Sequence, residues 1–111
     1  MGALRSDLWC SVFVRRHNDL GNMCVMVRRG DPIAGQVFIE VDHLDGTRSL
    51  YTPAPMASRK DDASLVFQRR FERVEPAKVA ERIKREIEFD PDLWVLSLDL
   101  RGDDLGIEVV G

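Results

Sequence analysis

Two short stretches of this sequence place charged side chains where they could bind an anion or transfer a proton. The first is VRRGDPIAGQ, in which Arg28 and Arg29 precede Gly30 and Asp31, and Gly35 follows. Glycine allows positive φ and close backbone approach, and successive amides in such a turn can form an anion-binding nest. Two guanidinium groups beside it suit a phosphate or a carboxylate. The alternative is an inter-strand turn whose arginines pair with carboxylates of the same chain.

The second stretch, EFDPDLW, carries two carboxylates close to a tryptophan, at Asp90, Asp92 and Trp94. Such a pair could hold a metal ion or act as general acid and base. Alternatively, the two aspartates cap a helix-to-strand corner by accepting hydrogen bonds from free amides. If folding brings this corner beside the first turn, the two stretches form one composite site for an anionic small molecule or nucleotide.

A third candidate is a small apolar surface that could meet a partner, formed by Tyr51, Pro53 and Pro55. The alternative is the packed end of a strand, because proline cannot donate to a strand ladder and therefore ends it.

The charge balance argues against nucleic acid as a partner. The net charge is -3 and the pI is near 5.3. Proteins that bind nucleic acid through a broad basic face usually carry a positive net charge instead. The stretch that could bind RNA is a predicted strand on which arginines accompany Phe67 and Phe71. It would have to expose both phenylalanine rings for base stacking.

Common catalytic and cofactor patterns are missing. The sequence contains no glycine-rich nucleotide-binding motif, no serine elbow and no HExxH pair. His17 and His43 have no serine or cysteine at a spacing typical of a dyad. Cys10 and Cys24 are too far apart for the usual zinc-binding pair and are interpreted as reduced thiols. We therefore predict no catalytic residue, no metal site and no cofactor.

Length and hydropathy predict one domain spanning residues 1–111. The chain has no apolar leader and nothing close to the ~20 consecutive apolar residues of a membrane span. We therefore expect a cytoplasmic protein that does not contact a membrane.

Hydrophobic periodicity predicts two helices and five or six strands. The predicted elements are a helix over 4–22, strands over 23–29, 36–44, 47–52 and 65–74, a helix between Pro76 and Asp90, a strand over 93–100 and an edge strand over 107–110. Residues 56–64 are interpreted as a mobile loop. In the first helix, the apolar stripe is predicted to consist of Leu8, Trp9, Val12, Phe13 and Leu20, with His17 on the arginine side.

This order, α-β-β-β-β-α-β(-β), is typical of the α+β class. Short turns between consecutive strands indicate a mostly antiparallel sheet of five or six strands. The two helices are expected to pack on one face of it.

The segments RRGDPIAG, VDHLDGTRSLYTPAP and EFDPDLWVLSL, in this order, resemble the alphaproteobacterial proteins grouped as domain of unknown function 1491. The resemblance covers most of the chain and implies a bacterial cytoplasmic protein of about this length. It implies no activity or site, because the family is uncharacterised.

Together these observations favour a small binding or interaction protein without catalytic activity. Its partner would be an unknown protein or a second copy of itself, since an edge strand offers a self-complementary contact for a homodimer. The alternative is a binder of, or an enzyme acting on, an anionic small molecule at the composite site.

Overall fold

The chain forms two helices and six strands in the part that the computed structural model describes, residues 5–55 and 65–110. The elements are α1 (Ser6–Asp19), β1 (Cys24–Arg28), β2 (Val37–Asp42), β3 (Arg48–Pro53), β4 (Val66–Val74), α2 (Pro76–Phe89), β5 (Trp94–Asp99) and β6 (Glu108–Val110). Their order confirms the predicted α+β succession. The predicted loop over 56–64 lies outside the described residues.

The strands form one mixed sheet in the order β1-β5-β2-β3-β4-β6. Three neighbouring pairs are antiparallel, whereas β2 with β5 and β4 with β6 are parallel. A parallel pair needs a crossover connection, and α2 lies in the one that leads to β5. Strand β5 therefore lies between β1 and β2, which are consecutive in the sequence.

The two helices pack on opposite faces of the sheet, so the prediction that both cover one face is wrong. Along β2, Val37, Ile39 and Val41 belong to a core shared with α1, while Phe38 belongs to a second core shared with α2. Successive strand residues point to opposite faces, and here both faces carry apolar side chains. Each face therefore needs its own cover, and one helix supplies each.

Helix α1 buries only part of the predicted stripe, in which Phe13 is buried and Trp9 packs against the core shared with α1. Its buried residues are Ser6, Cys10, Phe13 and His17, whereas Leu8, Val12 and Leu20 are exposed. The two polar members are buried because both have partners. Ser6 Oγ donates to the Gly35 carbonyl at 2.6 Å, and His17 Nε2 donates to the Leu105 carbonyl at 2.7 Å. Burial of a polar group is tolerated when its hydrogen bonds are made.

Strand β1 is one edge of the sheet, and the side chain of Asn18 binds part of its main chain. The Asn18 carboxamide accepts a hydrogen bond from the Cys24 amide and donates one to the Cys24 carbonyl, both at 3.0 Å. This side chain thus occupies the main-chain groups with which a further strand would pair. No helix in the described ranges is long and apolar enough to cross a membrane.

Candidate functional site

The structure brings the RRGD turn and the FDPDLW corner together. The Asp31 amide donates to the Asp92 carbonyl at 3.0 Å, and Trp94 Nε1 donates to the Asp31 carbonyl at 2.7 Å. Arg28 Nη2 donates to the Pro91 carbonyl at 2.7 Å. The composite arrangement considered from the sequence is therefore present, but it consists largely of direct contact between the two segments.

The glycines of the turn permit this close contact. A Cβ at Gly30 would overlap the backbone of Asp92 and lie 2.8 Å from the carbonyl carbon of Leu93. A Cβ at Gly35 would overlap the Asp92 carbonyl and lie 2.8 Å from the indole of Trp94. Neither glycine has a positive φ, so what the fold requires at both positions is the absence of a side chain.

The backbone amides of the turn already have acceptors within the chain. The Asp31 carboxylate accepts hydrogen bonds from the amides of Ile33, at 3.2 Å, and Ala34, at 2.8 Å. The Gly35 amide donates to the Asp31 carbonyl at 3.2 Å. These amides are not free to form the anion nest considered from the sequence. Binding of an external anion here would therefore depend on the arginine side chains.

The two arginines point to opposite faces of the sheet. The guanidinium of Arg29 lies 5.3 Å from the ring centroid of Trp94, which belongs to the α1-side core. Arg28 instead borders Ile83 and Val95, which belong to the α2-side core. The two guanidinium groups therefore cannot bind the same anion, and each arginine is considered by itself below.

The aspartates of the corner fit the capping alternative. Asp90 Oδ1 accepts a hydrogen bond from the Asp92 amide at 3.1 Å, and the Asp90 carbonyl accepts one from the Leu93 amide at 3.2 Å. Trp94 is buried between the turn and the α1-side core. Across residues 5–55 and 65–110, no three side chains of the His, Cys, Asp or Glu type cluster as metal ligands would.

The third candidate surface keeps only its prolines. Tyr51 is 1% exposed and belongs to the α1-side core, whereas Pro53 is half-buried and Pro55 is exposed. Burial raises the pKa of the Tyr51 phenol, and a hydrogen bond with Arg69 partly opposes that rise. A partner that binds this surface would contact Pro53 and Pro55 but not the buried Tyr51.

The strand proposed for RNA stacking has one buried ring. Phe67 is fully buried, and Phe71 packs against the α2-side core with Lys78 Nζ 5.7 Å from its centroid. Of the neighbouring arginines, Arg69 pairs with Glu72 at 3.2 Å. Phe67 is therefore unavailable to stack on a base.

A groove that the sequence did not reveal lies beside Arg28, between β1 and α2. This β1–α2 groove has a volume of about 290 Å³ and is lined by Val27, Arg28, Glu40, Ala80, Ile83, Lys84, Ile87 and Val95. Val27 is 57% exposed because α2 does not extend over the edge strand. The groove is thus the uncovered end of the α2-side core.

Arg28 is incompletely satisfied at the rim of this groove. The bond to the Pro91 carbonyl is the one hydrogen bond that its side chain makes to the described residues, and its Nε is buried without an acceptor. Ion pairs found within the described ranges involve neither Arg28 nor Lys84, whereas Glu40 is held by Arg48 at 3.2 Å. The rim therefore carries an excess of positive charge.

A buried histidine–serine pair also escaped the sequence analysis. His43 Nδ1 lies 2.8 Å from the Leu100 carbonyl, and its Nε2 lies 2.7 Å from Ser49 Oγ. Because a carbonyl only accepts, Nδ1 carries the proton and the serine hydroxyl donates to Nε2. Both residues are at most 1% exposed, so a substrate cannot reach the serine. The pair fastens the β2–β3 hairpin to the segment after β5.

Known proteins resemble this chain along its length. Residues 4–105 match the family described as "Protein of unknown function (DUF1491)". Among solved structures, protein Atu0922 from A. tumefaciens shares 30% identity with a TM-score of 0.84, over 96% of this chain and 94% of that one. The solution structure of a DUF1491 family protein from Caulobacter crescentus CB15 shares 25% identity over 100% of both chains, with a TM-score of 0.80.

The crystal structure of a DUF1491 family protein from the same bacterium, at 24% identity and a TM-score of 0.80, covers 97% of this chain and 98% of that one and shows the same fold. No curated protein matches the chain. The chain belongs to the DUF1491 family, as the resemblance of its three motifs predicts.

Proposed function

We propose that this protein acts by binding, and that the β1–α2 groove is its site for a small anionic ligand. The observation that carries the proposal is Arg28, whose guanidinium borders an apolar groove and has no carboxylate partner in the described ranges. A buried N–H group without an acceptor costs about 1–3 kcal/mol. An anion that draws the guanidinium towards itself would recover that free energy through charge-assisted hydrogen bonds.

The charges around the groove support an anionic ligand. Lys84 is exposed on the wall formed by α2, and Arg28 stands at the end of β1. The single acidic lining residue, Glu40, is half-buried and already paired with Arg48. An entering anion would therefore meet two cations and a neutralised carboxylate.

Binding without chemistry is supported by what lines the groove. Its lining includes no serine, cysteine, histidine or tyrosine among the described residues. The His43–Ser49 pair, which resembles part of a hydrolase site, is buried elsewhere in the fold. The groove thus offers a place to hold a ligand, and its lining lacks the hydroxyl, thiol and imidazole groups that most often act as nucleophiles.

The proposal can be tested by nuclear magnetic resonance with ¹⁵N-labelled protein, titrated with acetate and with inorganic phosphate. We expect the Arg28 Nε–H resonance and the amides of the groove to shift in a saturable way. The Arg28→Ala variant should lose these shifts, whereas Arg29→Ala is the matched control because Arg29 lies on the opposite face. Equal losses in both variants, or no shift at the groove with either anion, would contradict the proposal.

A second candidate is self-association through β1. Val25 and Val27 on the edge strand, and Met23 just before it, are 50%, 57% and 65% exposed. A two-fold contact would bury this row of side chains against itself. Asn18 leaves little main chain for strand pairing, so the contact would rely on these side chains. Sedimentation equilibrium tests it: a monomer at high micromolar concentration, unchanged in Met23→Glu, would dismiss the homodimer.

A further inference from the structure

We infer that the ligand of the β1–α2 groove is an amphipathic monocarboxylate, whose carboxylate is held by Arg28 and whose aliphatic chain lies along α2. This inference rests on the proposed function and specifies the chemical class of the ligand. Three properties of the groove carry it, namely the chemistry of its walls, its size and the number of its cations.

The walls of the groove are aliphatic apart from its charged rim. Five of the eight lining side chains are apolar and none of them is aromatic, namely Val27, Ala80, Ile83, Ile87 and Val95. A sugar or a nucleobase would bury hydroxyl and amide groups against these side chains without partners, at a cost of about 1–3 kcal/mol each. An alkyl chain would instead remove apolar surface from water on both sides of the contact.

The size of the groove sets the length of the chain. A volume of about 290 Å³ has room for roughly ten groups the size of a water molecule, at about 30 Å³ each. A carboxylate has three heavy atoms and counts for about three such groups, which leaves space for roughly seven further carbons, as in octanoate. Longer chains would extend past Val27 into solvent, because α2 does not cover the edge strand there.

The number of cations favours a single negative charge. Arg28 is half-buried and its Nε is a buried donor without an acceptor, and a guanidinium matches the two oxygens of a carboxylate. Lys84 is exposed and adds a second, screened charge. A phosphate with two charges would leave part of its charge without a direct partner, since the amides of the RRGD turn already donate within the chain.

The decisive experiment measures dissociation constants by calorimetry or nuclear magnetic resonance for acetate, butyrate, hexanoate, octanoate and decanoate. We expect affinity to rise about fourfold with each added methylene group and to level off near octanoate. 1-Octanol tests the contribution of the negative charge, because it keeps the alkyl chain without the charge. Octyl phosphate tests the preference for a carboxylate headgroup over a phosphate. Octanoate should bind more tightly than both.

Paired variants of β1 localise the ligand. Val27→Glu puts a negative charge on the groove wall at an exposed position and should weaken octanoate binding by about tenfold or more through like-charge repulsion. Val25→Glu adds the same charge to the same face of the same strand but lies outside the groove lining. It should change the affinity by less than about twofold.

The possible results separate this inference from the proposed function. If acetate binds as tightly as octanoate at Arg28, the amphipathic ligand is refuted while an anion site remains. Tighter binding of octyl phosphate, or equal effects of the two glutamate variants, also overturns the inference. If octanol equals octanoate, or if none of these probes perturbs the groove, the anion site itself is refuted.

Discussion

Replacing Gly30 by alanine should destabilise the fold much more than an ordinary substitution in a loop. The new methyl group would overlap the carbonyl of Asp92 and lie 2.8 Å from the carbonyl carbon of Leu93. These are main-chain atoms, so no side-chain rotation can relieve the overlap. The turn and the corner must therefore separate.

The size of the effect follows from the contacts that separation would break. Overpacking of this kind costs about 1–3 kcal/mol. Weakening the hydrogen bond from the Asp31 amide to the Asp92 carbonyl adds about 0.5–1.5 kcal/mol. We therefore expect the free energy of unfolding to fall by about 2–4 kcal/mol, which corresponds to a loss of roughly 10–20 °C in Tm.

Urea denaturation, followed by tryptophan fluorescence, measures this loss directly, because Trp94 packs against the turn. Gly102→Ala is the matched control, since a Cβ there meets nothing within 4 Å and its φ is not positive. That variant should be as stable as the wild type, or more stable by about 0.4–1 kcal/mol through reduced entropy of the unfolded chain. If both alanine variants unfold at the same urea concentration, the close packing of turn and corner does not stabilise the fold.

Three further perturbations test other parts of the structure. Burial raises the pKa of Cys10 to about 12 and that of Cys24 to about 11 from an ordinary value of 9.0. The contribution of the two buried neutral thiols to the free energy of unfolding is therefore complete below pH 9 and is lost as the pH rises towards 11–12. In that window the wild type should lose stability faster than Cys10→Ala by up to about 1.4 kcal/mol per pH unit, measured by urea denaturation; parallel curves would contradict this. His43→Ala removes the hydrogen bonds of His43 to the Leu100 carbonyl and the Ser49 hydroxyl, which keeps its bond from the Arg73 amide. The free energy of unfolding should fall by about 2–4 kcal/mol, whereas a change below about 0.5 kcal/mol would show that the pair does not stabilise the fold. Asn18→Ala frees the main chain of Cys24 at the sheet edge. Size-exclusion chromatography should therefore show stronger concentration-dependent association of this variant than of the wild type, and identical elution of the two proteins would contradict the role of Asn18.

Local chemistry in the sequence predicted the ends of elements well. Asp45 and Gly46 form the turn between the strands predicted over 36–44 and 47–52. In this turn, Asp45 accepts hydrogen bonds from the amide and hydroxyl of Thr47, and Gly46 has a φ of 91°. Pro76 opens α2, and the helix ends before Pro91. Each of these features depends on residues within one turn of the chain, which is why the sequence alone reveals it.

Features that depend on distant residues were not predictable in this way. The register of α1 is set by Ser6 and His17, whose acceptors are the carbonyls of Gly35 and Leu105, far along the chain. An apolar-stripe analysis places such polar residues on the wet face, because it cannot identify their partners. The placement of the helices on opposite faces likewise depends on which strands are neighbours in the sheet.

The groove was hidden for the same reason. Val27 and Val95 lie beside each other because β5 enters the sheet between β1 and β2. The sequence predicts the strands but not this insertion, since consecutive strands usually lie side by side. Arg28 was recognised as a candidate anion ligand, but its apolar surroundings could be found only in three dimensions.

The two adjacent arginines therefore have separate explanations, and the difference between them locates the candidate site. Arg29 lies over the Trp94 indole and within 3.3 Å of the Met26 sulfur, so packing and cation–π attraction account for its presence without any ligand. The side chain of Arg28 makes one hydrogen bond to the described residues and has a buried Nε that lacks an acceptor. Native structures rarely leave such a donor unsatisfied. The contact with the Pro91 carbonyl explains why the turn and the corner matter to the groove, because it holds this guanidinium at the rim. A variant that loosens the corner, such as Gly30→Ala, should consequently weaken binding at the groove even though Gly30 does not line it.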